Sequence, residues 1–282
     1  MTTALISVAE LLPHVETPDW LVVDCRFDLT RPAAGEEAYR HGHIPGAVYA
    51  HLDRDLSSPI TPTSGRHPLP TPEQLAATLS RWGVKKDVHV IVYDADAGAY
   101  AARLWWLLRW IGHSKVAVLD GGLKAWQAAG LPVTPLVPIR IASRFVAKPD
   151  RDAWVDAAQV AERVQRNDWR LLDARAPERF AGTVEPLDTV AGHVPGARNH
   201  PFATSMGPDG RFLPAAQLRD RFEKSQDGVA DSRTIAMCGS GVTACHLLLA
   251  MEAAGKPGGK LYAGSWSEWI RDPARGVSKG PI

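Results

Sequence analysis

Along the chain, short wholly apolar runs alternate with longer stretches whose apolar residues recur at helical spacing. Residues 21–23, 47–49, 88–93 and 116–119 have the length and composition of buried strands. Residues 73–81, 101–111 and 123–129 have the period of helices, the last of them stopped by Gly130, Leu131 and Pro132. Strands that are apolar on both faces occur where helices cover both sides of a sheet, so the alternation predicts an α/β fold with a mostly parallel sheet. Ligands of such folds bind beyond the carboxyl ends of the strands.

The pattern occurs twice. LVVDCR at 21–26 is answered by LLDAR at 171–175, GHIPGA at 42–47 by GHVPGA at 192–197, VIVYD at 90–94 by TIAMC at 234–238, and VLDGGLKAW at 118–126 by LYAGSWSEW at 261–269. The order is kept throughout, which marks two copies of one domain rather than a solenoid. A chain of 282 residues is long enough for both to hold a core. The N-terminal domain is placed at residues 1–132, a linker at 133–150, where Pro135, Pro138 and Pro149 punctuate a stretch with no period, and the C-terminal domain at 151–282.

Composition narrows the function classes. With 45% hydrophobic and 22% charged residues the chain reads as globular. No apolar run reaches the ~18 residues of a membrane span, so no membrane partner is expected. The first residues lack a basic start followed by an apolar core, and Ser7 with Glu10 has the pattern of a capping box instead. A formal charge of +1 without a basic run leaves no electrostatic footprint for nucleic acid. Three cysteines, an odd number without a CxxC pair, fit free thiols in a reducing compartment, which points to the cytoplasm. No cofactor is implied, and His41, His43 and His51 lack cysteine or carboxylate companions at metal-ligand spacing.

The candidate chemistry lies at 234–255, TIAMCGSGVTACHLLLAMEAAG, a strand, a glycine loop and a helix. Cys238 ends the strand, and helical spacing resumes only after Thr243. Gly239 and Gly241, with Ser240, Val242 and Thr243, can turn consecutive N–H groups inward as an anion nest, to which the helix adds its positive end. Such a setting favours the nucleophilic thiolate. A phosphatase loop on the same kind of fold would need arginine six residues after the cysteine, and Ala244 stands there.

Taken together, the paired Asp-Arg and GHxPGA segments, the Cys238 loop and the GSWSEW segment resemble the tandem-domain rhodaneses, a sulfurtransferase family, over essentially the whole chain. The resemblance implies a silent N-terminal copy and a catalytic C-terminal one, and Asp94 indeed stands where the second copy has Cys238. Thiosulfate-using members tend to carry two basic residues after the cysteine. Mercaptopyruvate sulfurtransferases carry Gly-Ser-Gly, which Gly239, Ser240 and Gly241 match. Arg179 falls where both subfamilies keep a donor-binding arginine, suited to a carboxylate or a sulfonate-like group. A second arginine expected in the mercaptopyruvate enzymes is replaced by Asp188, as in the thiosulfate subfamily. On this reading an arginine introduced at 188 should improve mercaptopyruvate use.

The implied reaction makes Cys238 a persulfide, taking sulfur from 3-mercaptopyruvate, or alternatively from thiosulfate, and passing it to a thiol, thioredoxin or cyanide. Thiosulfate expels sulfite unaided, whereas mercaptopyruvate expels an enolate that needs a proton. Ser240 is the nearest candidate in the loop, and by resemblance Asp53 and His67 complete a relay with it. A non-catalytic binding module is the other rival. His43 and His193 recur in both copies and are read as structural, Cys25 and Cys245 as buried and inert, Asp24 and Asp173 as partners of strand-end ion pairs, and the WWLLRW run at 105–110 as helix packing.

Overall fold

A computed structural model describes residues 4–95, 97–166 and 168–281. It divides into two compact units, the first made of residues up to Ser58, Leu69–Asp150 and Pro208–Phe212, the second of Pro59–Pro68, Arg151–Gly207 and the chain from Leu213 onward. The ten residues Pro59–Pro68, which fall in the first repeat by sequence, thus pack as part of the second unit.

In the first unit, β1 (Leu5–Ile6), β2 (Trp20–Asp24), β3 (Val48–Tyr49), β4 (His89–Tyr93) and β5 (Val116–Leu119) form a parallel sheet in the order β1-β5-β4-β2-β3. Its helices are α1 (Val8–Leu11), α2 (Ala34–His41), α3 (Leu52–Asp55), α4 (Pro72–Arg81), α5 (Ala101–Trp110) and α6 (Gly122–Ala128). The second unit repeats the plan with β6 (Trp154–Val155), β7 (Arg170–Asp173), β8 (Arg198–Asn199), β9 (Thr234–Met237) and β10 (Lys260–Tyr262) in the order β6-β10-β9-β7-β8. Around it lie α7 (Ala157–Arg163), α8 (Pro177–Ala181), α9 (Ala215–Gln226), α10 (Thr243–Ala253) and α11 (Ser265–Trp269). The expected α/β fold with parallel sheets is therefore present twice. Residues 135–150 contain neither helix nor strand.

Local chemistry explains the boundaries. Ser7 and Glu10, Thr71 and Gln74, and Asp156 and Gln159 each close a capping box at the start of α1, α4 and α7, satisfying N–H groups that a helix leaves open. The middle strands β4 and β9 are buried along nearly their whole length, as continuous apolar runs in a two-faced sheet must be. Helices α5 and α10 follow them and are buried on almost every face, α5 against β4 and β5, α10 against β9, β10 and α9. The WWLLRW run is part of that packing.

The repeated polar residues brace the fold. Arg26 grips Asp24 and the Gly42 carbonyl, and Arg175 grips Asp173 and the Gly192 carbonyl in the same way. His43 stacks on Tyr39 and bonds its carbonyl at 2.7 Å, while His193 stacks on Phe180 and bonds its carbonyl at 2.8 Å. Both imidazoles are fully buried and hold backbone. Among the described residues no helix is long and apolar enough to cross a membrane.

Candidate active site

Cys238 follows the last residue of β9, the middle strand of its sheet, and is 2% exposed. The loop it opens is tied to the start of α11 by three bonds. The Cys238 N–H donates to Ser265 Oγ at 3.0 Å, and the Trp266 and Ser267 N–H groups donate to the carbonyls of Cys238 (3.0 Å) and Gly239 (2.9 Å). At the far side Gly241 takes φ +81°, and a Cβ there would lie 2.2 Å from the Ala263 carbonyl oxygen, so the tight return demands glycine. That return aims the Gly241 N–H at Cys238 Sγ, 3.1 Å away. Val242 precedes α10 and Thr243 begins it.

Ser240 is buried, and its Oγ lies 2.7 Å from His67 Nδ1. The ring reaches it because Pro59–Pro68 belongs to this unit, anchored where the Arg66 N–H donates to Ser267 Oγ and where Gly65 leaves no room for a Cβ, which would come 2.5 Å from the Gly264 carbonyl oxygen. Asp53 lies in α3 of the first unit, where its N–H donates to His51 Nδ1.

Arg179, on α8, is held by carboxylates. Its Nε and Nη2 donate to Glu185, Nη2 at 2.7 Å, and Nη2 also donates to Asp188 Oδ2 at 3.1 Å. Asp188 Oδ1 in turn accepts from Nη1 of Arg66. Arg66 carries no signal in the sequence beyond its place beside His67, and Glu185 carries none. Both guanidiniums come to the residue after Cys238, since a Cβ built on Gly239 would lie 3.0 Å from Arg66 Nη2 and 3.4 Å from Arg179 Nη1. Those two nitrogens have no hydrogen-bond partner among the described residues.

The side chains of Asp188 and Glu185 are 5% and 3% exposed, those of Arg66 and Arg179 25% and 18%. Burial pushes the Asp188 carboxyl up, with Glu185 adding to it and the two arginines opposing. Glu185 is held below the usual carboxylate range, because against its burial stand the hydrogen bonds from Arg179 and from the Leu187 and Asp188 N–H groups.

The first unit has the same loop frame with another occupant. The N–H groups of Leu123 and Lys124 at the start of α6 donate to the carbonyls of Asp94 and Ala95, matching the ties of Trp266 and Ser267. The Asp94 carboxylate then accepts the N–H groups of Gly98 (2.9 Å), Tyr100 (2.8 Å) and Ala101 (3.1 Å). The anion nest of the first unit is filled by its own side chain. The other thiols are sealed: Cys25 is 1% exposed, its thiol pushed well up by burial and then by Asp24, and Cys245 Sγ donates to the Gly241 carbonyl at 3.3 Å.

A buried cysteine with the Gly241 N–H turned onto its sulfur follows the middle parallel strand in one of two copies of an α/β domain. The rhodanese-like domain family matches residues 7–129 and 156–272. The chain is 49% identical, over 98% of both sequences, to a Pseudomonas aeruginosa protein named "Probable 3-mercaptopyruvate sulfurtransferase". It is 37% identical to the thiosulfate sulfurtransferase of Gallus gallus, over 88% of this chain and 86% of that one. The crystal structure of SseA from Escherichia coli, described as a 3-mercaptopyruvate sulfotransferase, superposes with a TM-score of 0.81 at 35% identity, covering 95% of this chain and all of that one. The chain belongs to the rhodanese family of sulfurtransferases, with two rhodanese-like domains, and works on a sulfur donor and a sulfur acceptor.

Proposed function

We propose that this sulfurtransferase takes its sulfur from 3-mercaptopyruvate and delivers it from a Cys238 persulfide to a small thiol, thioredoxin or cyanide. The observation that carries the choice of donor is the 2.7 Å contact between His67 and Ser240, beside the nucleophile. A donor that leaves as sulfite needs no proton; one that leaves as an enolate does.

The Cys238 thiolate attacks the donor's thiol sulfur. A sulfur–sulfur bond forms as the carbon–sulfur bond breaks, and the electron pair of the broken bond passes to carbon as the enolate of pyruvate. Ser240, backed by His67, supplies the proton that turns the enolate into pyruvate. The Gly241 N–H holds the charge on Cys238 sulfur, and the rest of the Gly239, Ser240, Gly241, Val242 and Thr243 turn lines the persulfide. The unpartnered nitrogens of Arg66 and Arg179 receive the donor carboxylate, as planar forks suit that group. The acceptor then attacks the terminal sulfur and regenerates the thiolate. Asp53 enters by resemblance alone as a further member of the relay, and Asp53→Asn is its test. The free thiols of Cys25, Cys238 and Cys245 support a reducing compartment, the cytoplasm.

The test compares kcat/KM for 3-mercaptopyruvate and thiosulfate with cyanide as acceptor. The expected result is a preference for 3-mercaptopyruvate that falls about 100-fold in Ser240→Ala and His67→Gln while thiosulfate turnover changes less than about threefold, the range assigned to general acid catalysis. Cys238→Ser should abolish both activities. Equal losses for the two donors would remove the proton-delivery role, and a thiosulfate preference in the unaltered protein would replace the donor.

A further inference from the structure

Asp188 stands where the mercaptopyruvate enzymes are expected to carry an arginine, yet its carboxylate links the two guanidiniums beside the loop. One oxygen takes Arg66 and the other takes Arg179, with the side chain 5% exposed. We propose that Asp188 is a specificity-determining positioning residue, whose buried carboxylate spaces the Arg66 and Arg179 forks and offsets their charge so that the site selects a donor bearing one planar carboxylate over a dianion such as thiosulfate. The inference rests on the donor reading given above.

Two observations carry it. The first is which nitrogens are left over. Asp188 and Glu185 occupy Nη1 of Arg66 and the Nε and Nη2 of Arg179, and the nitrogens nearest Gly239, Arg66 Nη2 and Arg179 Nη1, stay without a partner among the described residues. The carboxylates thereby orient one open donor from each fork toward the loop. The second is charge. Arg66, Arg175 and Arg179 are matched within this cluster by Asp173, Glu185 and Asp188, so an arriving anion meets aligned donors but no excess of positive charge. Aligned donors reward the geometry of a carboxylate, and a balanced cluster forgoes the extra Coulomb attraction that a second negative charge would feel. An arginine at 188 would add a third guanidinium beside two others, so the sequence-based expectation that it improves mercaptopyruvate use is reversed: the second cation already comes from residue 66.

The experiment is Asp188→Asn in the full-length protein. An amide can accept from one arginine but turns a donor toward the other, and it adds one net positive charge. The kcat/KM ratio of 3-mercaptopyruvate to thiosulfate should fall about tenfold or more, through a raised KM for 3-mercaptopyruvate with kcat within about threefold, and thiosulfate KM should become more sensitive to ionic strength. Asp188→Glu keeps the charge but displaces it; the ratio should fall in the same direction by less, and this variant carries the test if the asparagine form does not fold. Attack of the Cys238 thiolate on the central sulfur of a neutral organic trisulfide, which forms a mixed trisulfide on Cys238 and expels the other arm as a thiolate, read by intact mass, reports an intact loop independently of anion binding. If the loop loads normally and the donor ratio stays within about twofold of the original, Asp188 does not set specificity and the proposal is overturned. Absence of any sulfur adduct or turnover in the unaltered protein would instead bring down the underlying donor reading.

Discussion

His200 is a buried imidazole whose protonation is tied to the folding of its own unit. Its ring stacks on Phe222 at 4.5 Å, Nδ1 meets Ser225 Oγ at 2.7 Å, and Nε2 has no partner among the described residues. Burial, with Arg221 as a lesser cause, pushes it down from 6.5 to about 4. Above pH 6.5 folded and unfolded chains both carry it neutral, and its full contribution to stability is present. As pH falls from 6.5 to about 4 the unfolded chain takes up a proton that the folded chain refuses, so stability drops over that window and levels off below it. A gap of that size amounts to roughly 3 kcal/mol. Urea unfolding of the protein and of His200→Gln at pH 7 and pH 4.5 should show a smaller acid loss in the variant; equal losses would mean that the ring titrates freely in the fold.

At the level of elements, the unit that recurs is strand, loop and helix, with the loop's carbonyls capped by a second helix start. Trp266 and Ser267 do this for the Cys238 loop, and Leu123 and Lys124 for the Asp94 loop. The frame is thus independent of what fills it. In the second unit the loop turns the Gly241 N–H onto the Cys238 sulfur, whereas in the first it holds a carboxylate bonded to three backbone N–H groups. The Asp94 side chain fills its loop from within, bonded to backbone. Asp94→Ala should destabilise the protein by roughly 3 kcal/mol, because a carboxylate's hydrogen bonds are lost and buried N–H groups are left open. Persulfide formation at Cys238 should continue in the folded variant. Urea titration and intact mass check the two halves, and an unchanged unfolding midpoint would show that the nest tolerates being empty.

For the whole molecule, what could be read from the sequence was whatever is local or repeated. The strand runs, the capping box of Ser7 and Glu10, the doubled Asp-Arg and GHxPGA segments and the glycine loop after Cys238 all express rules that act over a few residues, and each is present in the structure. Arg66 was not legible, because its role depends on ten residues of the first repeat packing with the second unit and on an ion pair spanning 122 positions. For the same reason Asp188 read as an exception until its partners were known. The Pro59–Pro68 segment therefore carries two of the site's side chains, Arg66 and His67, on a stretch without helix or strand, held by Gly65 against Gly264 and by the Arg66 N–H on Ser267. Replacing residues 60–67 in the full chain by an equally long glycine-serine segment removes both side chains but leaves the Cys238 loop and its ties to α11 in place. The expected outcome is that a neutral trisulfide still forms its mixed trisulfide on Cys238, while kcat/KM for 3-mercaptopyruvate falls by about 1,000-fold or more, combining the loss of an anion-binding fork with that of proton delivery. Restoring only Arg66 in that segment should recover KM before kcat, and restoring only His67 should do the reverse. If the substituted chain turned over 3-mercaptopyruvate at near its original rate, donor binding and proton delivery would have to come from elements other than this segment.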